Sequence, residues 1–198
     1  MDFSLTDNEV RVLGCLMEKE MATPDYYPLS LNALINACNQ KSNRNPVVSY
    51  DEAAVDDALN GLREYKLVRQ SNIGRVTKHE QVFSKEMKLV AREQAIICVL
   101  LLRGPQTVGE IRSRTERLFV FSNLDEVQET IASLENMALA KQLPRQPGRK
   151  ESRYAHLLSR ESQAGPRAEI ATVADRQEDD RVGDLQKQID ALRQEMQS

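Results

Sequence analysis

The stretch Ile96-Ile97-Cys98-Val99-Leu100-Leu101-Leu102-Arg103-Gly104-Pro105-Gln106-Thr107-Val108-Gly109-Glu110-Ile111 decides the fold. Its apolar run is stopped by Gly104-Pro105, and Thr107 with Glu110 then has capping-box spacing ahead of Val108 and Ile111. A helix, a turn and a short second helix are predicted. The same order occurs earlier in the chain. Val12, Leu13, Leu16 and Met17 match Ile96, Ile97, Leu100 and Leu101 at an offset of 84. Spacings of three and four put each set on one helical face, which must be buried. Thr6 with Glu9 caps the first of these helices.

The match continues outward. Pro24 and Pro28 stop the first helix as Pro105 stops its counterpart. Ser30 and Thr107 then cap short helices at an offset of 77, with Leu31 and Leu34 facing inward as Val108 and Ile111 do. Third helices begin at Ser49, boxed with Glu52, and near Ser122 or Asn123. Their buried stripes are Val55, Leu59, Leu62 and Val127, Ile131, Leu134, offset by 72. A strand follows each, Leu67–Gln70 and Leu139–Leu143, and each returns through a turn to Arg75–Phe83 and Ser152–Leu158. Gly74 and Pro147-Gly148 supply the turn chemistry of hairpin tips.

Duplication at a fixed period identifies the building block before any chemistry is assigned. Three helices followed by a β-hairpin make the winged variant of helix-turn-helix. The expected class is mainly α with small β-hairpins (α+β): two tandem winged-helix domains plus a C-terminal amphipathic helix. Residues 1–86 and 87–160 form the two domains, 161–180 a polar linker and 181–198 the helix.

Several motifs carry a resemblance. Tyr27-Pro28-Leu29-Ser30-Leu31-Asn32 and Ala37-Cys38-Asn39-Gln40-Lys41-Ser42-Asn43-Arg44-Asn45-Pro46-Val47 resemble the bacterial YceH-like family. So do Leu100-Leu101-Leu102-Arg103-Gly104-Pro105-Gln106-Thr107 and Pro147-Gly148-Arg149-Lys150-Glu151-Ser152-Arg153-Tyr154. The resemblance implies tandem winged helices, a C-terminal helix and no established biochemical activity. Fold alone does not carry function.

Composition narrows the classes. No apolar stretch approaches the roughly 20 residues of a membrane span, and Met1-Asp2-Phe3-Ser4 lacks signal-peptide regions. A cytoplasmic protein with no membrane partner is expected. Cys15, Cys38 and Cys98 are odd in number, form no Cys-x-x-Cys and read as reduced core thiols. With His79 and His156 in different hairpins, no metal site is expected. No phosphate loop, nucleophile elbow or His-acid spacing is present, so neither catalytic residues nor a cofactor is expected.

The net charge of −3 is unevenly placed. Residues 88–160 carry 12 Lys+Arg against 8 Asp+Glu, whereas 1–87 carry 10 against 13 and 161–198 carry 5 against 9. Phosphate contacts dominate nucleic-acid affinity, so the second repeat is the better electrostatic candidate. A winged helix usually reads the major groove with its third helix. Here those helices present Asp51, Glu52, Asp56, Asp57 and Glu64, or Asp125, Glu126, Glu129 and Glu135, against the single cation Arg63. Groove insertion is therefore disfavoured.

Cations cluster elsewhere. Lys41 and Arg44 stand with Asn43 in the enlarged loop between helices two and three, where small amides beside two cations suit phosphates or base edges. A polar surface loop is the ordinary alternative. The far wing carries Arg145, Arg149, Lys150 and Arg153, which also suits a protected sheet edge. Arg112, Arg114 and Arg117 lie on or after the second repeat's short helix, and the first wing adds Arg75 and Lys78. In the tail, Val182, Leu185, Ile189, Leu192 and Met196 repeat at three and four, a parallel coiled-coil pattern. It predicts a homodimer, or a helix packed back on its own chain.

Two functions fit. One is a DNA-binding, regulator-like protein contacting duplex DNA through wings and loop. The other is a scaffold whose tandem modules bind a protein partner.

Overall fold

The computed structural model describes residues 3–71, 76–145 and 151–159 and shows a mixed α+β fold. Helix α1 (Asp7–Ala22) opens with the expected capping box: Glu9 Oε2 accepts from the Thr6 N–H at 2.7 Å, and Thr6 Oγ1 from the Glu9 N–H at 3.3 Å. Strand β1 (Leu29–Ser30) leads into α2 (Leu31–Cys38), whose first turn is capped by Ser30 Oγ at 3.3 Å. Helix α3 (Glu52–Glu64) corrects the expected cap. Asp51, not Ser49, supplies it, its Oδ1 accepting from the Ala54 N–H at 2.9 Å. A carboxylate there also complements the helix dipole.

Strands β2 (Val68–Ser71) and β3 (Lys78–Gln81) join β1 in an antiparallel sheet of order β1-β3-β2, with Val68 opposite Gln81 and Leu29 opposite His79. The returning strand is shorter than expected. It ends at Gln81, and Phe83–Glu86 forms a short helix, α4, whose Phe83 ring is fully buried. A buried aromatic anchors the chain as well from a helical turn as from a strand.

The second half repeats the order. Helix α5 (Ala91–Arg103) stops at Gly104, whose φ of 71° only glycine adopts cheaply. Helix α6 (Val108–Arg114) has the Thr107–Glu110 box at 2.8 and 3.2 Å. Helix α7 (Leu124–Asn136) is capped by Asn123 at 2.8 Å. Strands β4 (Ala140–Gln142) and β5 (Tyr154–His156) pair antiparallel, Ala140 opposite His156. An isolated bridge from Gln106 to Tyr154 occupies the place that β1 holds in the first half.

The two halves share one core. Helix α1 is buried continuously from Glu9 to Met17 and α5 from Ala95 to Leu102, because each faces its own half and the other helix. Gly14 makes the approach close: a Cβ there would lie 2.9 Å from Leu102 Cδ2 and 3.1 Å from Leu101 Cβ. At the far end the Leu5 N–H donates to Leu158 O at 2.7 Å.

Candidate functional site

The loop between α2 and α3 is held from inside by Arg44. Its guanidinium forms a two-point pair with Glu18, Nη1 to Oε1 at 3.0 Å and Nη2 to Oε2 at 2.7 Å. Nε and Nη2 also donate to Ala37 O at 3.1 and 2.9 Å, and Nη1 to Asn43 O at 3.0 Å. Arg44 is only 6% exposed, so it cannot serve as the phosphate contact expected of it. Its position in a polar stretch concealed that Glu18, one helix away, was its counter-ion.

The loop docks on the second half. The Asn45 N–H donates to Leu102 O at 2.9 Å, and Asn43 Oδ1 accepts from Arg103 Nη2. Asn43 takes a left-handed φ of 59°, which asparagine tolerates better than most residues. Beside this contact lies an open cleft of about 770 Å³. Lys19 and Thr23 line it from the end of α1, Ser42 and Asn43 from the loop, Arg103 from the end of α5, and Arg114 and Arg117 from the end of α6 and the turn after it. Val99, Leu102 and Leu118 give it apolar floor.

Three helix C-termini converge on the cleft, and Lys19, Arg103 and Arg114 in their last turns offset the partial negative charge of those ends. Glu18 is already engaged by Arg44 and by Lys19 at 3.3 Å, which leaves Glu116 as the other carboxylate in the lining. Lys19 and Arg103 escaped the sequence reading, although a signal existed. They stand 84 residues apart, the offset of the first-helix repeat, so the duplication delivers one cation from each copy to the same place.

The other expected residues divide. Lys41, Arg112 and Arg145 are exposed, as is Arg117, and no ion pair joins them to a carboxylate among the described residues. Arg112 Nη2 donates to Ser122 O at 3.1 Å. Lys78 is half-buried in β3. Arg114 bonds the Gln106 side chain and lies 3.8 Å from Glu110. Arg153 is turned inward, with Nη1 3.0 Å from Glu110 Oε2 and 2.8 Å from Pro105 O, so its charge is matched within the fold. Arg75, Arg149 and Lys150 lie outside the described residues, as do Val182, Leu185, Ile189, Leu192 and Met196.

The third helices do turn their acids to solvent: Asp51, Glu52, Asp56, Asp57 and Glu64 on and before α3 are exposed, as are Asp125, Glu129 and Glu135 on α7. Among the described residues no group of His, Cys, Asp and Glu is arranged to hold a metal ion, and no helix is long and apolar enough to cross a membrane.

Fold and site together define a two-repeat α+β protein with a cation-lined cleft between its repeats. The chain belongs to the family described as "Protein of unknown function, DUF480", whose pattern matches residues 5–149. It is 51% identical over 195 residues to a UPF0502 protein of Solibacter usitatus, covering 98% of this chain and 95% of that one. A UPF0502 protein of Pelobacter propionicus is 48% identical over 209 residues, with 99% and 93% covered. One from Citrifermentans bemidjiense is 53% identical over 165 residues, with 81% and 76% covered.

Proposed function

We propose that this chain is a tandem winged-helix protein that binds duplex DNA through backbone phosphates along the inter-repeat cleft and its rim. The repeated order of helix, bridge or strand, two helices and two strands supports the winged-helix reading. One observation carries the DNA reading: Lys19 and Arg103, equivalent in the repeat, line one cleft with Arg114, Arg117 and the Asn43 loop. Exposed Lys41 and Arg117 present charges that internal carboxylates do not match. Cations clustered on one concave face attract a polyanion, and amide and hydroxyl groups between them fix its register.

The acidic outer faces of α3 and α7 disfavour their entry into a groove, so the contact is phosphate-led and of low sequence specificity. A salt titration of duplex binding is the test. About four released counterions give a slope near −3.6 in log K against log salt. A flat dependence, or no binding at low salt, overturns the proposal.

A protein-scaffold role is the second reading. The observation favouring it is at the start of α7, where Val120 and Leu124 are 73% and 45% exposed beside acidic residues. Absent DNA binding together with a stable partner lost on Val120→Asp would establish it.

A further inference from the structure

A second cleft, of about 450 Å³, lies beside the first repeat's sheet. Helix α4 and the connector after it supply Ser84, Lys85 and Lys88, and Gln94 enters from the start of α5. The sheet and the end of α1 complete the lining, which shares no residue with the inter-repeat cleft.

Local structure places the first three. Helix α4 ends in a paired turn, where the Lys88 N–H donates to Lys85 O at 3.1 Å and the Leu89 N–H to Ser84 O at 2.8 Å. Such a turn needs one left-handed residue, here Lys88 with a φ of 54°. The closure ties Lys88 to the helical turn that carries Ser84 and Lys85.

Ser84 is the unexplained member. It is only 3% exposed. Its N–H donates to Gln81 Oε1 at 2.9 Å and its carbonyl is taken by Leu89, yet its hydroxyl is buried without a hydrogen-bond partner. A hydroxyl so placed costs free energy that a hydrogen-bonding occupant of the cleft recovers.

Charge selects the occupant. Both carboxylates of the lining are engaged, Glu80 by Arg69 and Glu20 by the Gln81 carboxamide. Gln81 is itself fixed, its N–H donating to Tyr27 Oη at 2.6 Å. Lys85 and Lys88 are exposed, and no ion pair joins either to a carboxylate among the described residues. These ammoniums, the buried hydroxyl and the half-buried Gln94 carboxamide offer more donors than the two oxygens of a carboxylate can use. A phosphate monoester brings about 1.5 to 2 negative charges and three terminal oxygens.

We propose that this cleft binds the phosphoryl group of a small phosphate monoester, with Ser84 Oγ, Lys85, Lys88 and Gln94 donating to its oxygens. The volume exceeds what a bare phosphate ion fills. The ester's organic part takes the remaining space beside Glu20 and Glu80, whose carboxylate oxygens accept from hydroxyl groups. Nucleic-acid phosphodiesters carry a single charge per phosphate and are the weaker match. None of this rests on the nucleic-acid reading.

The test titrates the isotope-labelled full-length protein with inorganic phosphate and with glycerol phosphate, read by amide NMR at constant ionic strength. Both should shift the Ser84, Lys85, Lys88 and Gln94 amides saturably, while acetate does not. Lys88→Gly deletes the ammonium at a φ that glycine adopts more cheaply, so the fold is kept and the dissociation constant should rise about tenfold. Ser84→Ala removes a hydroxyl that bonds nothing within the protein. Its melting temperature should hold or rise, while phosphate affinity falls about fivefold. Lys41→Glu with Arg117→Glu, in the other cleft, should leave phosphate affinity unchanged. The proposal fails if neither phosphate saturates, if acetate matches them, or if Ser84→Ala and Lys88→Gly bind as tightly as the parent. Loss of affinity in the Lys41 and Arg117 variant would put the anion in the inter-repeat cleft, and displacement of glycerol phosphate by duplex DNA would make the ligand nucleic acid; either overturns it.

Discussion

Arg44 and Glu18, 26 residues apart, meet as a two-point ion pair at 3.0 and 2.7 Å, and the contact fixes the α2–α3 loop on the end of α1. Every nitrogen of the guanidinium donates within the fold. A residue expected to meet DNA is thus what shapes the cleft wall.

Glu18→Gln leaves that buried guanidinium without its counter-ion. Removing one partner of a buried pair costs about 3–5 kcal/mol, and urea unfolding of the variant should show a loss of that order. A change below about 1 kcal/mol would mean that the pair is solvated.

Gly14→Ala should destabilise the protein by about 1–2 kcal/mol, even though alanine is the better helix former by up to about 1 kcal/mol. The new Cβ meets Leu102 and, less avoidably, Leu101 Cβ at 3.1 Å. Thermal unfolding would show it. A rise in melting temperature would mean that α1 and α5 are not tightly seated.

His156 is 6% exposed, and burial pushes its pKa down from 6.5 to about 4. Between those values the unfolded chain binds a proton that the folded one does not, so stability rises with pH. The contribution is complete above pH ~6.5 and is lost as pH falls toward ~4, about 3 kcal/mol in all. Urea midpoints at pH 7.5 and 5 should differ accordingly, and His156→Gln should flatten the difference. An unchanged slope in that variant would assign the effect elsewhere.

Lys41→Glu combined with Arg117→Glu should weaken duplex binding at least tenfold and reduce the salt slope by about two. Asp56→Asn with Asp57→Asn should leave binding unchanged or raise it, since an acidic helix face near phosphates repels them. Filter binding at two salt concentrations distinguishes these. Equal loss from both pairs would place α3, not the cleft, at the interface.

Much of the fold was legible from local rules. The caps at Thr6, Ser30, Thr107 and Asn123 stand where side-chain oxygen precedes an apolar stripe, because a helix start must satisfy its own N–H groups within a few residues. Asp51 was misplaced by two residues because Ser49 has the same capping chemistry. Helix α4 was missed because the four-residue segment is too short to show a helical period, and Phe83 follows closely on the returning strand. The site was less legible. Lys19 and Arg103 meet only because α1 packs on α5, whereas Arg44 and Arg153 find Glu18 and Glu110 from 26 and 43 residues away.

Periodicity, capping and duplication are short-range properties, so the chain alone specified the six helices of the repeat, their order and the repeated unit. Which cations are matched inside and which face solvent depends on partners distant in sequence, through ion-pair distances of about 3 Å that no spacing rule encodes. The packing of α1 against α5 made that choice: it built the cleft from four separate segments and buried one arginine in its wall.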